Sequence, residues 1–257
     1  MIIRKSPSEL DKMRRAGAIV ADTIERVLEA VVPGATTLDL DRVSAEAIAA
    51  AGATPSFFGY GGGGGRIPFP GTLCASINNE IVHGIPSTSG VLRDGDLVSL
   101  DFGAIWEGFH ADSAVTVFVG SPPSADAKRL VETTQAALDA AIAAIRPGGR
   151  LSDIGYAIEQ VAIAQGIGVV REYGGHGIGR ALHEDPFIQN WGPLGRGPEM
   201  KPGLVIAVEP MFNLGGDETM VLDDGWTVVT ADRSLSAHFE HTVAVTEDGH
   251  EILTARS

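Results

Sequence analysis

The chain has 257 residues, 44% hydrophobic and 20% charged, a length and composition that fit one large folded domain or two small ones and exclude general disorder or a fibrous repeat. Lysine and arginine total 19 against 33 aspartates and glutamates, and the resulting charge of −14 repels phosphate backbones and anionic membranes, which argues against specific nucleic-acid or membrane partners. The single cysteine, Cys74, excludes an internal disulfide, the start Met1-Ile-Ile-Arg-Lys turns charged before any signal core forms, and no stretch approaches the roughly 18 apolar residues of a membrane span, so a cytoplasmic protein is expected.

Ser6-Pro7-Ser8-Glu9 is a capping box with proline at the first helical position, and Met13, Ala16, Ile19, Val20, Ile24, Val27 and Leu28 follow at helical spacing until Pro33-Gly34. A second amphipathic helix is predicted from about Thr37 to Ala51, stopping at Gly52. Residues 54 to 71 read as loop. Short β-branched and apolar runs at about 73 to 85, 96 to 105 and 109 to 119 read as strands. Helices are then predicted at about 124 to 145 and 151 to 165, and strands near 167 to 173, 203 to 212, 226 to 231 and 236 to 246.

Two rounds of helix pair followed by strands point to an internal repeat. Pro33-Gly34, Asp39 and Gly52 recur as Pro147-Gly148, Asp153 and Gly166, each 114 positions further on. His-Gly-Ile occurs at 83 to 85 and again at 176 to 178; the run Gly95 to Asp101 echoes Gly203 to Glu209, and Phe109 to Asp112 echoes Ala237 to Glu240. One order in both halves implies a duplicated half-domain, with halves of about 1 to 120 and 121 to 257 in a single catalytic domain. Facing halves would bring Asp101, Asp112, Glu209 and Glu240 to one central place.

A two-residue turn at Glu107-Gly108 sets Asp101 opposite Ala114 and Asp112 one same-face step away. Two carboxylates that close repel each other unless a cation lies between them. Either alone reads equally well as a solvated strand residue. Glu240, however, shares a strand face with His238 and Thr242, and Glu209 ends the almost wholly apolar run Leu204 to Glu209, where an uncoordinated charge is costly. His176 lies among glycines in Gly174-Gly-His-Gly-Ile-Gly179, as suits an imidazole brought close to a bulky or charged group. Four carboxylates and one imidazole form an oxygen-rich donor set suited to Mn, Fe, Co or Zn in a paired site, and hydrolysis is the natural reaction of such a pair. Gly59, Gly61 and Gly64 satisfy G-x-G-x-x-G, but Pro68 and Pro70 follow in place of a helix, which removes a dinucleotide site.

His-Gly-Ile-Pro (83 to 86), Asp101 with Asp112, Gly-His-Gly-Ile-Gly-Arg-Ala-Leu-His-Glu (175 to 184), Val-Glu-Pro-Met (208 to 211), Gly-Trp-Thr (225 to 227) and Asp-Arg-Ser-Leu-Ser-Ala-His-Phe-Glu-His-Thr (232 to 242) together resemble the type I methionine aminopeptidases. The resemblance covers essentially the whole chain. It implies the pita-bread fold, an α/β (α+β) architecture of two pseudo-symmetric halves with antiparallel sheet around a dinuclear site, and removal of the initiator methionine before a small second residue. It also implies two divalent ions (Co, Mn, Fe or Zn), with Asp112 and Glu240 bridging, His176 and Glu209 on one ion and Asp101 on the other. His83 and His183 would contact the scissile bond, with Glu209 relaying the proton. Phe69, Cys74, Leu182 and Trp226 would line the methionine pocket, with Tyr60 a further candidate.

Leu182 stands where the family leads one to expect phenylalanine, and Gly61 to Gly65, either a lid or an inert extension, separate Tyr60 from Phe69. The implied partners are peptide and nascent-chain N-termini, with transient contact to the ribosome and a monomeric state. Proline-directed peptidases of the same fold are the first alternative; they usually carry a large domain before the first helix, which here starts by about residue 7. Type II enzymes carry an insertion between the two glutamates, for which the 31 positions from Glu209 to Glu240 leave no room. A ligand-less binding homologue is the second alternative, and no ligand is missing.

Overall fold

Helix α1 runs Pro7–Glu29, its capping box closed by Glu9 Oε2, which accepts from the Ser6 backbone N–H at 3.0 Å. It ends a turn before Pro33, because the chain leaves the helix through Ala30 towards the left-handed Gly34. Helix α2 (Thr37–Ala50) packs on it, and α3 (Ala125–Ala143) with α4 (Ser152–Gln165) form the second pair. The computed structural model describes residues 1–62 and 67–256; the predicted glycine loop at 61 to 65 falls largely outside them.

The duplication is visible in backbone chemistry. Asp39 Oδ2 accepts from Thr36 N, and Asp153 Oδ2 accepts from Arg150 N, so the same side-chain cap opens the second helix of each pair. Gly34 and Gly148 both have positive φ (92° and 82°), and each donates its N–H to a strand-side carbonyl, of Leu92 and Met200 respectively. Gly52 and Gly166 end their helices with φ of 72° and 63°.

Every strand pairing among the described residues is antiparallel. In the first half the long hairpin of Leu97–Trp106 and Phe109–Phe118 is flanked by Leu73–Ile77 and by Thr54–Pro55. In the second, His250–Ile252, His241–Val245, Val205–Val208, Gly175–Gly177 and Glu184–Ile188 lie side by side. Two three-stranded sheets bridge these, one of Ser236–His238, Met211–Asn213 and Gly168–Val169, the other of Thr219–Val221, Val228–Thr230 and Glu80–Val82.

Several predicted strands are therefore broken in two. The run 73 to 85 divides at Asn78, held at φ 57°, so its second piece joins a different sheet. The runs 203 to 212 and 236 to 246 divide at Glu209-Pro210 and at Phe239-Glu240, opposite one another; Pro210 has no N–H to continue the ladder. The run 167 to 173 shrinks to Gly168–Val169, and the short strands at 175 to 177, 184 to 188, 219 to 221 and 250 to 252 carry too little alternation to be read beforehand.

One apolar cluster spans both halves, from Ile24 and Leu40 through Leu100 and Phe102 to Leu138, Ile158, Phe212 and Val243. Full burial of side chains of this kind stabilises by about 1.5–3 kcal/mol each.

Candidate active site

The two halves are stitched at a polar seam. Thr242 Oγ1 donates to the carbonyl of Asp112 at 2.7 Å and accepts from its N–H at 2.9 Å. Thr116 does the same for the backbone of His238, at 2.7 and 2.9 Å. Between these links Glu240 N donates to Ala114 O at 3.0 Å, and Ser113 Oγ donates to Glu240 O at 2.6 Å. The break in the second-half strands thus frees the Glu240 backbone to pair with the first-half hairpin, which carries the aspartates.

On that hairpin Asp101 lies opposite Ala114 on one side and Cys74 on the other, and Asp112 lies opposite Gly103. This is the register dictated by a two-residue turn with positive φ at Glu107 (47°) and Gly108 (79°). Asp112, His176 and Glu240 each place a ligand-capable atom within 4.8 Å of the others, all buried. Glu209 projects from the facing strand break, its Oε1 3.5 Å from His176 Nε2.

Electrostatics at this centre call for a cation. Burial pushes Asp101 up to about 7, against the opposing pull of its interaction with Asp112. Burial and the neighbouring carboxylates drive Asp112, Glu209 and Glu240 well above the usual carboxylate range. Asp101 Oδ1 and Asp112 Oδ1 are buried without a hydrogen-bond partner, and no lysine or arginine is among the described residues that line the cavity. Buried carboxylate oxygens with no hydrogen-bond donor are suited to coordinate a cation, so this donor set fits divalent ions.

His176 is prepared for that role. Its Nδ1 lies 2.9 Å from the Gly177 carbonyl, which can only accept, so the proton sits on Nδ1 and the lone pair on Nε2 faces the carboxylates. Burial holds it down to about 3, so the ring is neutral.

Above the carboxylates opens a cavity of about 310 Å³. All twelve residues singled out in the sequence line it: Asp101, Asp112, His176, Glu209, Glu240, His83, His183, Tyr60, Phe69, Cys74, Leu182 and Trp226. One wall is apolar, with Phe69 edge-on to Trp226 at 5.3 Å and to Phe57 at 6.5 Å, and with Cys74 and Leu182 packed in the same cluster. Imidazoles line the same cavity. His83, at φ 62°, stands edge-on to Trp226 and Tyr173, and His183 lies 4.1 Å from His176, centroid to centroid. Burial holds His83 to about 4 and lowers His183, which keeps both neutral.

Sequence reasoning passed over Phe57, Tyr173 and His238 as lining residues. His238 is buried, its Nε2 has no hydrogen-bond partner, and it stands 3.8 Å from Glu209 Oε2. Its signal was available, since alternation puts it on the face of Glu240.

A pair of α/β halves closing on a buried carboxylate and imidazole cluster defines a metallohydrolase. The chain belongs to metallopeptidase family M24, whose model matches residues 11–247, and within it to the methionine aminopeptidases. It is 49% identical to methionine aminopeptidase 1 of Mycobacterium tuberculosis, over 99% of this chain and 95% of that one, and 49% identical to methionine aminopeptidase 1 of Bacillus subtilis, over 99% of each. The crystal structure of methionine aminopeptidase from Thermotoga maritima superposes with a TM-score of 0.95 at 42% identity, covering 100% of both chains. A prolidase from Pyrococcus furiosus shares the fold at a TM-score of 0.79 and 22% identity, over 99% of this chain and 66% of that one.

Proposed function

We infer that this enzyme removes the N-terminal methionine from proteins and peptides whose second residue is small. The observation that carries the reading is one cavity that joins an apolar wall to buried carboxylates whose Asp101 Oδ1 and Asp112 Oδ1 have no hydrogen-bond partner. The wall of Phe69, Cys74, Leu182 and Trp226, with Tyr60 at its edge, takes the unbranched thioether side chain. A bulky second residue would collide beside the carboxylate floor.

Asp101, Asp112, His176, Glu209 and Glu240 would hold divalent ions at the floor, two of them by the family resemblance. The resemblance to the family and the mutual approach of Asp112, His176 and Glu240 support this assignment. When bound, the ions supply Lewis-acid polarisation of the scissile carbonyl and lower the pKa of water. Glu209 takes the proton of the attacking water and delivers it to the leaving amide nitrogen, first as base and then as acid. His83 and His183 hydrogen-bond the atoms of the scissile bond from the imidazole side, holding the carbonyl in line for attack.

The whole of 1–257 acts as one catalytic domain of two halves, about 1–120 and 121–257. No helix of the described residues is long and apolar enough to cross a membrane. The reading carries with it a cytoplasmic, monomeric enzyme that acts on peptide and nascent-chain N-termini, with transient contact to the ribosome. The test is incubation of metal-loaded protein with Met-Ala-Ser beside leucine-started and proline-containing controls. Methionine release alone is expected; release of leucine, or cleavage before proline without methionine release, overturns the reading.

A further inference from the structure

Tyr60 had no assignable place in the sequence because the glycine run separates it from Phe69. The structure gives it one. Gly59 N donates to Phe69 O and Phe69 N donates to Tyr60 O, both at 2.9 Å, so the two ends of the glycine loop are clamped together beside the cavity. Trp226 Nε1 donates to Ile67 O at 2.9 Å and anchors the returning strand of the loop. Gly61, at φ 73°, lies so close to the Trp226 indole that a Cβ would come within 2.7 Å of Cη2; only glycine passes here. These constraints aim the Tyr60 ring at His183. The rings are tilted 42° at 5.2 Å, and the phenol oxygen is 2.7 Å from His183 Nδ1.

We propose that Tyr60 is a positioning residue for His183, its hydroxyl donating to Nδ1 and so fixing the imidazole proton on Nε2, the nitrogen left for the scissile bond. A neutral imidazole carries one proton, and which nitrogen holds it decides whether the ring can donate to charge developing on substrate oxygen. Two features set the direction of the Tyr60–His183 bond. The phenol is the stronger donor and the bare imidazole nitrogen the stronger acceptor. With the roles reversed, His183 would turn a bare Nε2 towards a cavity already rich in carboxylate lone pairs, where a donor is favoured. Tyr60 thereby does for His183 what the Gly177 carbonyl does for His176, with opposite result: His176 is left a lone pair, His183 a proton.

The inference rests on the aminopeptidase reading for its catalytic consequence, and on the 2.7 Å bond and its direction for its tautomer. Tyr60→Phe keeps the ring and removes the hydroxyl. The experiment pairs ¹⁵N-histidine NMR of the zinc-loaded wild type and variant, the His183 signals identified by their absence in His183→Ala, with steady-state kinetics on Met-Ala-Ser. Expected are a wild-type pattern of bare Nδ1 and protonated Nε2, its loss in the variant, kcat lower by about 10-fold with KM within about twofold, and unchanged zinc content and melting temperature. An unchanged His183 pattern in the variant overturns the proposal whatever the kinetics. So does a raised KM at constant kcat, which would make Tyr60 only a wall of the methionine pocket. A pattern that changes in a protein that releases no methionine supports the tautomer assignment and sinks the aminopeptidase reading instead.

Discussion

His176 Nε2 and Glu209 Oε1 meet at 3.5 Å across the cavity floor, with the imidazole proton turned away on Nδ1 towards the Gly177 carbonyl. A neutral nitrogen lone pair beside an ionised carboxylate gives no stabilising hydrogen bond, and a shared cation satisfies both groups. Glu209→Gln keeps the shape and removes both the ligand charge and the proton acceptor. It is expected to retain the fold, to bind metal more weakly and to lose roughly 10²-fold or more in kcat. Circular dichroism and saturating-metal kinetics check this; near-normal turnover at full metal occupancy would contradict the role of Glu209.

The duplicated His-Gly-Ile gives two histidines whose failures should differ. His176→Ala is expected to weaken metal binding by on the order of 10-fold or more, with activity partly restored by excess metal. His83 packs edge-on against Trp226 and Tyr173, and the family resemblance gives it to the substrate and not to the metal. His83→Ala should therefore keep its metal and lose about 10²-fold in kcat, the scale of one transition-state donor. Calorimetric titration with Mn²⁺ separates the two, and equal metal loss in both would restore a symmetric pair of ligands.

Metal removal should expose the carboxylate cluster in the pH dependence of stability. Burial holds His83, His110 and His241 to about 4 and His176 and His238 to about 3, against an ordinary 6.5. The unfolded chain then binds more protons than the native one up to that ordinary value, so this contribution rises with pH and is complete above about 6.5. The carboxylates act with opposite sign. Asp101 at about 7, with Asp112, Glu209 and Glu240 raised further by each other, makes the native state the better proton binder, so stability is lost as pH climbs through the raised values. Above about pH 6.5 only the second effect remains. The melting temperature of chelated protein is expected to fall between about pH 6.5 and 8.5, and the metal-loaded protein to show no such fall. Parallel flat profiles would mean that the carboxylates are not the groups the metal discharges.

What could be read from the sequence follows from what is local. Capping boxes, the Glu107-Gly108 turn and the repeated Pro-Gly and Asp positions are short-range codes, and through them the helix pairs and the Asp101 and Asp112 register were legible. The break at Glu209-Pro210 carried a local signal in the proline, whereas the break at Phe239-Glu240 did not, because alternation continues across it and only the competing partner, Ala114 on the other half, divides the strand. Tyr60 and Phe57 escaped placement for a related reason: the segment that carries them is held by Phe69 and Trp226, contacts that no periodicity encodes. His238 was legible as sharing the face of Glu240, yet its closeness to Glu209 needs the same strand break.

The seam itself is open to test at Thr242. Its buried hydroxyl bonds both the N–H and the carbonyl of Asp112, a metal-site residue of the other half, at 2.9 and 2.7 Å. Valine matches its shape and removes both bonds, leaving a buried donor and a buried acceptor without partners. Each such orphan costs about 1–3 kcal/mol, so Thr242→Val should destabilise by about 2–6 kcal/mol, the lower end holding if Asp112 shifts to recover one bond. Such a shift would move the carboxylate between the two halves, and metal affinity should fall with stability. Urea unfolding of metal-free protein gives the first quantity and Mn²⁺ titration the second. A variant as stable as the parent and as tight for metal would show that apolar packing alone, and not the threonine seam, aligns the halves.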